Sequence, residues 1–263
     1  MQLGIIDNTL TRESYQEVKD FGLAFVETCQ NIGVDLEAFR AKVPALLEYE
    51  KEFGIGMRSI GRWGTNKFDE DGKLIEEELQ NNFMLIDCAA QLHCPVFNTG
   101  VNFVEGISYY DNIGLAISFL EKLLAYGKEK GVKIATYNCH WNSYITGPEQ
   151  WKLIHGHLPE LGIKYDPTHC LNDGSGDYLG DAANWGERFY HVHIKGTINI
   201  DGKHLDDPPA GLDMIDWGTF MGLLYKKKYD GTLSIEPHSG TWQGDLGAWG
   251  IRYTTEYIKK MIF

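Results

Sequence analysis

Residues 189–194 read Phe-Tyr-His-Val-His-Ile, a short apolar run that carries two histidines and is followed by a lysine. Three other apolar runs end in a similar way, on Asn138-Cys139-His140, on Asp166-Pro167-Thr168-His169 and on Glu236-Pro237-His238. Each run has the length of a buried strand. Imidazole and carboxylate groups are costly to bury unless they bind something, and both are common metal ligands. Four strand ends of this kind predict a metal site.

Short apolar runs recur along the whole chain, with amphipathic stretches between them. The amphipathic stretches have apolar residues three and four positions apart, which predicts helices over 36–53, 76–92, 112–130 and 216–228. Glycines after them, as in Lys130-Gly131 and Leu161-Gly162, are typical of helix C-terminal caps. Eight strands are predicted over 3–6, 23–26, 54–60, 95–98, 132–136, 163–165, 189–194 and 232–235.

This strand and helix alternation suits a closed (β/α)8 barrel or an open doubly wound sheet. The stretch after the first strand, Asp7-Asn8-Thr9, lacks the glycine-rich phosphate fingerprint of open sheets. Polar residues also follow many strands, whereas an open sheet gathers them at one switch point. We therefore predict an α/β fold of the (β/α)8 TIM barrel type, formed by residues 1–263 as one domain.

Composition excludes several classes of protein. A formal net charge of −13 argues against a nucleic-acid partner, which requires a basic face. The five cysteines are scattered singly and fit a reducing cytoplasm better than a disulfide framework. No apolar segment is long enough for a membrane span, and the N-terminus does not resemble a secretion signal. We expect a cytoplasmic protein with no membrane partner.

The strongest candidate metal ligands are Asp166, His193 and Glu236, because the C-terminal ends of barrel strands converge. Two carboxylates and one imidazole suit one divalent ion, with Mn²⁺, Zn²⁺, Co²⁺ and Mg²⁺ all admissible, and leave positions open for substrate oxygens. The alternative is that these residues are ordinary polar strand ends or helix caps.

Other side chains are expected around the same cavity. His169 is three residues beyond Asp166 and is a candidate ligand or substrate donor. His191 lies two positions before His193 on one strand face, so it is predicted to be the deeper, orienting imidazole. Lys195 continues that face outward and could neutralise an oxyanion. His238, two beyond Glu236, is a candidate substrate contact.

Aromatic residues follow several strands, notably Trp63 and Trp141. Sugar rings pack their C–H faces on such side chains, while their hydroxyls bind Asn, His and carboxylate groups. This favours a carbohydrate or polyol ligand at Trp63 and Trp141. The same aromatics could instead cover the barrel rim or an oligomer interface, which leaves a homo-oligomer open. No glycine-rich anion nest indicates a phosphorylated substrate.

The order of these segments resembles the xylose isomerase-like TIM barrel superfamily, which holds sugar phosphate isomerases and epimerases and the AP endonuclease family 2 type of barrel. The motifs that carry the resemblance are Val26-Glu27, His-x-His-x-Lys over 191–195, Gly211-x-Asp213-x-x-Asp216-Trp217 and Ser234-Ile235-Glu236. The resemblance implies one divalent metal held by a glutamate, an aspartate, a histidine and a glutamate on strands five to eight. The last three match Asp166, His193 and Glu236.

The fifth strand departs from that pattern, since the position expected to carry glutamate holds Asn138. The resemblance implies that two glutamates act as an acid and base pair, and an asparagine cannot abstract a proton. An amide oxygen could still bind the ion, with lower metal affinity and higher Lewis acidity. His140, two residues further on, could replace the glutamate as ligand or as base.

Three functions remain open from the sequence. The first is a metal-dependent isomerase or epimerase of a sugar or keto-polyol, in which Glu236 moves a proton, Asn138 or His140 completes the site and Lys195 steadies the oxyanion. The second is a metal-dependent lyase or dehydratase of a keto-polyol or keto-glycoside. The third is a sugar-binding barrel without activity, suggested by the missing glutamate. Endonuclease chemistry is disfavoured, because Arg58 and Asn98 stand where further histidines are expected.

Overall fold

A computed structural model describes all residues, 1–263, and shows eight parallel strands that close into a barrel. Each strand pairs with its predecessor, and the last barrel strand pairs with the first in the register Leu3 to Leu233 and Ile5 to Ile235. The predicted (β/α)8 barrel is therefore confirmed. Its strands are β1 (Gln2–Ile6), β2 (Phe25–Cys29), β3 (Gly56–Arg62), β4 (Val96–Thr99), β5 (Lys133–Tyr137), β6 (Gly162–Tyr165), β7 (Phe189–Ile194) and β10 (Thr232–Ile235).

Helices surround the barrel and bury their apolar faces against the outer surface of the strands. None of them combines the length and apolar composition that crossing a bilayer requires. The four predicted helices are present with small shifts at their ends. The helices are α1 (Arg12–Asp20), α2 (Leu36–Phe53), α3 (Glu76–Gln91), α4 (Tyr109–Lys130), α5 (Pro148–His157), α6 (Pro167–Asp173), α7 (Tyr178–Trp185), α8 (Trp217–Lys226) and α9 (Gly244–Lys259).

The two glycines predicted as helix caps have different roles. Gly131 ends α4 in the left-handed conformation, with φ of 74°, as predicted. Gly162 does not end a helix, because α5 already stops at His157 and Gly162 begins β6. A Cβ atom on Gly162 would lie 2.0 Å from the ring of Tyr190. This glycine is therefore required by packing between neighbouring strands.

Two boundaries near the barrel mouth differ from prediction. The second strand starts two residues later than predicted and extends to Cys29, so Glu27 lies within it and is fully buried. Strand β3 extends to Arg62, so Arg58 lies inside the strand and not at its end. After β7 the chain forms an antiparallel hairpin, β8 (Ile198–Ile200) with β9 (Lys203–Asp206).

Candidate active site

A cavity of about 280 Å³ opens at the C-terminal ends of the strands. Its wall includes Trp63, Lys164, His169, Lys195 and Glu236. Residues from β3, β6, β7 and β10 and from the loops after them thus share one chamber, as convergence of barrel strands requires.

Asp166, His193 and Glu236 come together at the base of this cavity. One donor atom from each lies within 4.8 Å of the others. His193 Nδ1 is 3.1 Å from Glu236 Oε2 and 3.8 Å from Asp166 Oδ2. Asp166 and His193 are fully buried, and the side chain of Glu236 is 13% exposed. Only the glutamate of the three therefore reaches the cavity surface.

The local chain holds Asp166 in a fixed orientation. Asp166 caps α6: its Oδ1 accepts hydrogen bonds from the backbone N–H and the hydroxyl of Thr168 at 2.9 and 2.7 Å. Asn138 binds the backbone of Asp166 on both sides, accepting from its N–H and donating to its carbonyl, each at 2.9 Å. Asp166 Oδ2 is also buried but takes no part in this cap. This oxygen is directed at the cluster.

Lys195 lies between the two carboxylates. Its Nζ is 3.0 Å from Asp166 Oδ2 and 2.8 Å from Glu236 Oε2. Burial disfavours the charged lysine, but the two carboxylates outweigh it and raise the pKa of Lys195. Burial likewise opposes the charge of Glu236, yet Lys195 and His193 hold the pKa of Glu236 well below its ordinary value. The group is an ion pair network in which the lysine remains protonated.

Glu27 supports the cluster from below. Its Oε2 lies 2.8 Å from Nε2 of both His191 and His193. Despite full burial, the two histidines hold the pKa of Glu27 well below its ordinary value. An ionised Glu27 accepts the Nε2–H of His193, which leaves Nδ1 to face Asp166 and Glu236. His191 Nδ1 contacts Thr232 Oγ1 at 2.7 Å. His191 therefore lies below the cluster, where its Nε2 holds Glu27 in place.

Lys164 is a second buried cation in the cavity wall. Its Nζ lies 2.9 Å from His193 Nδ1 and 4.7 Å from the centroid of the Trp63 ring. Lys164 is 2% exposed. The ring of Trp63 offers a cation–π contact that offsets part of the cost of burying this ammonium group.

The two other histidines predicted as substrate contacts, His169 and His238, both line the cavity. His169 lines the cavity with Nε2 3.5 Å from Asp166 Oδ2, and burial lowers its pKa to about 3, so this imidazole is neutral. His238 also lines it and is anchored by Asp207, 2.8 Å from its Nδ1. That hydrogen bond raises the pKa of His238. Asp207 also contacts His204 at 2.8 Å.

Trp63 and Trp141 form an aromatic wall. Trp63 donates its Nε1–H to Asn98 Oδ1 at 2.6 Å, which fixes the ring edge-on to His193. Trp141 is 46% exposed and lies against Gly64, where an added Cβ would be 2.6 Å from the indole. Both tryptophans line the cavity as predicted from their positions after the strands.

The structure does not bring His140 into the cavity. Strand β5 ends at Tyr137, so the alternation used to place His140 on the face of Asn138 does not continue through the loop. His140 is exposed, and the side chains of Tyr137 and Cys139 line the cavity in its place. Asn138 is buried behind the wall, and its amide nitrogen and oxygen are both hydrogen-bonded to the backbone of Asp166.

Glu27 and Lys164 are members of the site that were not predicted as site residues, although Glu27 belongs to the motif Val26-Glu27. A signal for both was present. Glu27 is a lone carboxylate in the run Phe25-Val26-Glu27, and Lys164 lies two residues before Asp166 and therefore on the same strand face. A single charged residue inside a buried strand is a reason to look for a partner.

The donor set fits a divalent metal. Asp166 Oδ2, His193 Nδ1 and Glu236 Oε2 are hard and borderline donors within reach of one ion, which could take the place of Lys195 as the counter-charge of the two carboxylates. Glu27, His191 and His193 form another group of suitable size, but its shared oxygen is already bound by two imidazoles beneath the cavity. The first group is the better candidate.

Solved structures with the same fold include sugar epimerases. A D-allulose 3-epimerase from Methylomonas sp. has a TM-score of 0.79 at 15% identity, over 100% of this chain and 98% of that one. The D-psicose 3-epimerase of Clostridium cellulolyticum H10, solved with D-tagatose, has a TM-score of 0.78 at 13% identity, over 100% and 99% of the two chains. The IolI protein, solved with a zinc atom, has a TM-score of 0.77 at 16% identity, over 100% and 98%.

These identities establish a shared fold and no more. No curated protein matches the sequence. The family model described as xylose isomerase-like TIM barrel matches residues 15–257, which is nearly the whole chain. The resemblance inferred from the order of the strand-end motifs is confirmed, and the chain belongs to the xylose isomerase-like TIM barrel family.

Proposed function

We propose that this protein is a metal-dependent isomerase or epimerase that removes a proton next to the carbonyl of a sugar or keto-polyol. The observation that carries the proposal is the convergence of Asp166 Oδ2, His193 Nδ1 and Glu236 Oε2 within 4.8 Å at the base of an open cavity. Epimerases of D-allulose and D-psicose share the fold and support the choice of substrate class.

Asp166, His193 and Glu236 would hold one divalent ion, with Mn²⁺, Zn²⁺, Co²⁺ and Mg²⁺ as candidates. When bound, the ion would polarise the substrate carbonyl or hydroxyl and so acidify the adjacent C–H. A zinc atom in the structurally similar IolI protein supports this assignment. Asn138 serves to orient Asp166, because its amide nitrogen and oxygen are both hydrogen-bonded to the backbone of that residue.

Glu236 is the proposed base, because it is the carboxylate of the set that reaches the cavity. Lys195 lies 2.8 Å from Glu236 and stabilises the oxyanion that forms as the proton leaves. His169 and His238 bind substrate hydroxyls, and Trp63 and Trp141 pack against the C–H faces of the sugar.

The missing second glutamate keeps a lyase as the second candidate. No carboxylate stands opposite Glu236 on β5, since Asn138 faces Asp166 and Tyr137 and Cys139 line the wall there. Proton return must then come from Glu236 itself or from another group, or a leaving group departs from the enolate. Product analysis distinguishes these outcomes.

The test begins with the metal content of the purified protein, measured by mass spectrometry before and after incubation with Mn²⁺, Zn²⁺ or Co²⁺. The expected result is one tightly held ion in the wild type and its loss in Glu236→Gln. Asp207→Asn is the matched control, because Asp207 is a buried carboxylate of the same mouth that lies outside the donor set. This variant should retain the ion.

The reaction is then followed by NMR as exchange of the α-proton of ketoses and keto-polyols in deuterated solvent. Exchange in the wild type that is lost in Glu236→Gln supports the proposal. A wild-type protein that takes up no metal under any of these conditions would refute it, and the sugar-binding barrel would become the better explanation.

A further inference from the structure

The cavity contains two ammonium groups that a site for a neutral sugar does not require. Lys195 and Lys164 are 4% and 2% exposed, and both line the cavity. Lys195 contacts the carboxylates of Asp166 and Glu236, whereas Lys164 contacts an imidazole nitrogen, His193 Nδ1, and the face of Trp63. Lys164 therefore has no carboxylate within ion-pair distance.

A divalent ion bound by Asp166, His193 and Glu236 changes the balance of charge. Lys195 would share both of its carboxylate partners with such an ion, and Lys164 would share His193 Nδ1 with it. The two ammonium groups together with such an ion outnumber the charges of the buried carboxylates Glu27, Asp166 and Glu236. Asp207 lies outside the cavity lining and is occupied by two histidines.

With such an ion bound, the cavity would carry an excess of positive charge. The chain as a whole carries a formal net charge of −13, so the loaded cavity would be a positive site in an acidic protein. Buried charge in a low-dielectric wall is screened weakly and is costly without a counter-charge. A substrate that brings a negative charge would complete the site.

The form of the site favours a carboxylate over a phosphate. Phosphate sites in barrels commonly use free backbone N–H groups at a helix N-terminus. The helix that starts at this cavity, α6, is capped by the side chain of Asp166 itself, through the N–H of Thr168. Arg62 is also occupied, with its guanidinium bound to Glu78 at 2.9 Å and to two backbone carbonyls. The two lysines remain without an anion nest or a free guanidinium beside them, which favours a carboxylate.

Building on the proposed function, we infer that the substrate is a sugar acid, a keto-polyol whose carboxylate is bound by Lys164. Lys164 provides the charge that binds and orients this carboxylate. Lys195 would act next to the reacting carbon, beside Glu236. Specificity then depends on the carboxylate as well as on the hydroxyl groups.

The test compares ligands that differ only at C6. Two series are measured by isothermal titration calorimetry on the Mn²⁺-loaded protein: D-fructose, D-fructuronate and D-fructose 6-phosphate, and the corresponding D-tagatose, D-tagaturonate and D-tagatose 6-phosphate. The acid is expected to bind at least about tenfold more tightly than the neutral ketose in one or both series. The advantage should shrink in Lys164→Met and return in Lys164→Arg, with each variant measured at saturating Mn²⁺ so that a change in metal affinity does not enter the comparison.

Each other outcome overturns the inference. The sugar acid is ruled out as the substrate if neutral ketoses bind as tightly as the acids. It is also ruled out if the acids do not bind in either series. If the phosphates bind more tightly than the acids, the group that the site recognises is a phosphate and not a carboxylate. Failure here is distinct from failure of the proposed function, because metal content and α-proton exchange with the neutral ketoses are measured separately.

Discussion

Lys195 Nζ lies 2.8 Å from Glu236 Oε2, at the same carboxylate that would bind a metal ion. The same ammonium group is 3.0 Å from Asp166 Oδ2. A lysine charge thus holds together two buried carboxylates that would otherwise repel each other. Metal binding must displace this contact, and the affinity for the ion is reduced by the free energy of the internal ion pairs.

Replacing Lys195 by methionine should therefore raise metal affinity while weakening the metal-free protein. Loss of the ammonium group leaves two unpaired buried carboxylates, which costs about 3–5 kcal/mol of unfolding free energy. The Kd for Mn²⁺ should fall at least about tenfold. Calorimetric titration and thermal melts with and without Mn²⁺ measure both effects. Lys67→Met is the control, since Lys67 is a buried lysine paired with Glu78 away from the cavity. An unchanged or higher Kd in Lys195→Met contradicts the argument.

Glu27→Gln should weaken metal binding without touching a ligand atom. Glu27 accepts from Nε2 of His193 at 2.8 Å and thereby keeps Nδ1 free for the ion. Loss of such a supporting carboxylate typically lowers metal affinity by about 10–100-fold. Titration with Zn²⁺ or Co²⁺ measures the change. Ser59→Ala, which removes only a hydroxyl 3.4 Å from Glu27, should leave the affinity nearly unchanged. Equal affinities in Glu27→Gln and wild type would show that Glu27 does not orient the imidazole.

Asn138→Ala should destabilise the fold through the backbone of Asp166. The substitution leaves a buried N–H and a buried carbonyl of Asp166 without their partner, at a cost of about 1–3 kcal/mol for each unsatisfied group. Urea unfolding measures the loss. Asn184→Ala removes one hydrogen bond on an exposed helix position and should cost much less. Similar losses in the two variants would mean that the amide bridge contributes little.

Gly64→Ala should displace Trp141. Gly64 has a φ of 76°, and an added Cβ would lie 2.6 Å from the indole. Gly33 has a φ of 83° with no atom within 4 Å of its Cβ position, so Gly33→Ala reports backbone strain alone. Both variants should lose about 1 kcal/mol from strain. Only Gly64→Ala should also change the tryptophan fluorescence, by a difference that disappears when Trp141→Phe is added, and weaken ligand binding. Identical spectra in the two variants would argue against the contact.

Because of His155, the free energy of unfolding should decrease at acidic pH. His155 is buried between Thr136 Oγ1 at 3.0 Å and the carbonyl of Leu161 at 3.2 Å, and burial lowers its pKa to about 3. Between that value and the ordinary pKa of about 6.5, the unfolded chain binds a proton that the folded protein does not. Stability is therefore lost as the pH falls from about 6.5 toward about 3. His155→Gln should flatten the curve in urea unfolding from pH 7 to pH 4. Parallel curves for the two proteins would disprove this assignment.

Much of the architecture could be predicted from local pattern. The run 189–194 and its seven counterparts are short, apolar and separated by amphipathic stretches, and such periodicity is a property of neighbouring residues. Gly131 was recognisable as a cap for the same reason. The boundary of β2 was not, because the charged Glu27 interrupts the apolar run although barrel pairing keeps residues 27–29 extended.

The sequence by itself determined the eightfold alternation, the barrel and the placing of Asp166, His193 and Glu236 at strand ends. Only the tertiary structure decided what surrounds them. Strand alternation tells which face a side chain occupies while the strand lasts, so it could not place His140 beyond the end of β5. The contacts of Glu27 with His193 and of Lys195 with Asp166 join residues far apart in sequence, and closure of the barrel brings them together.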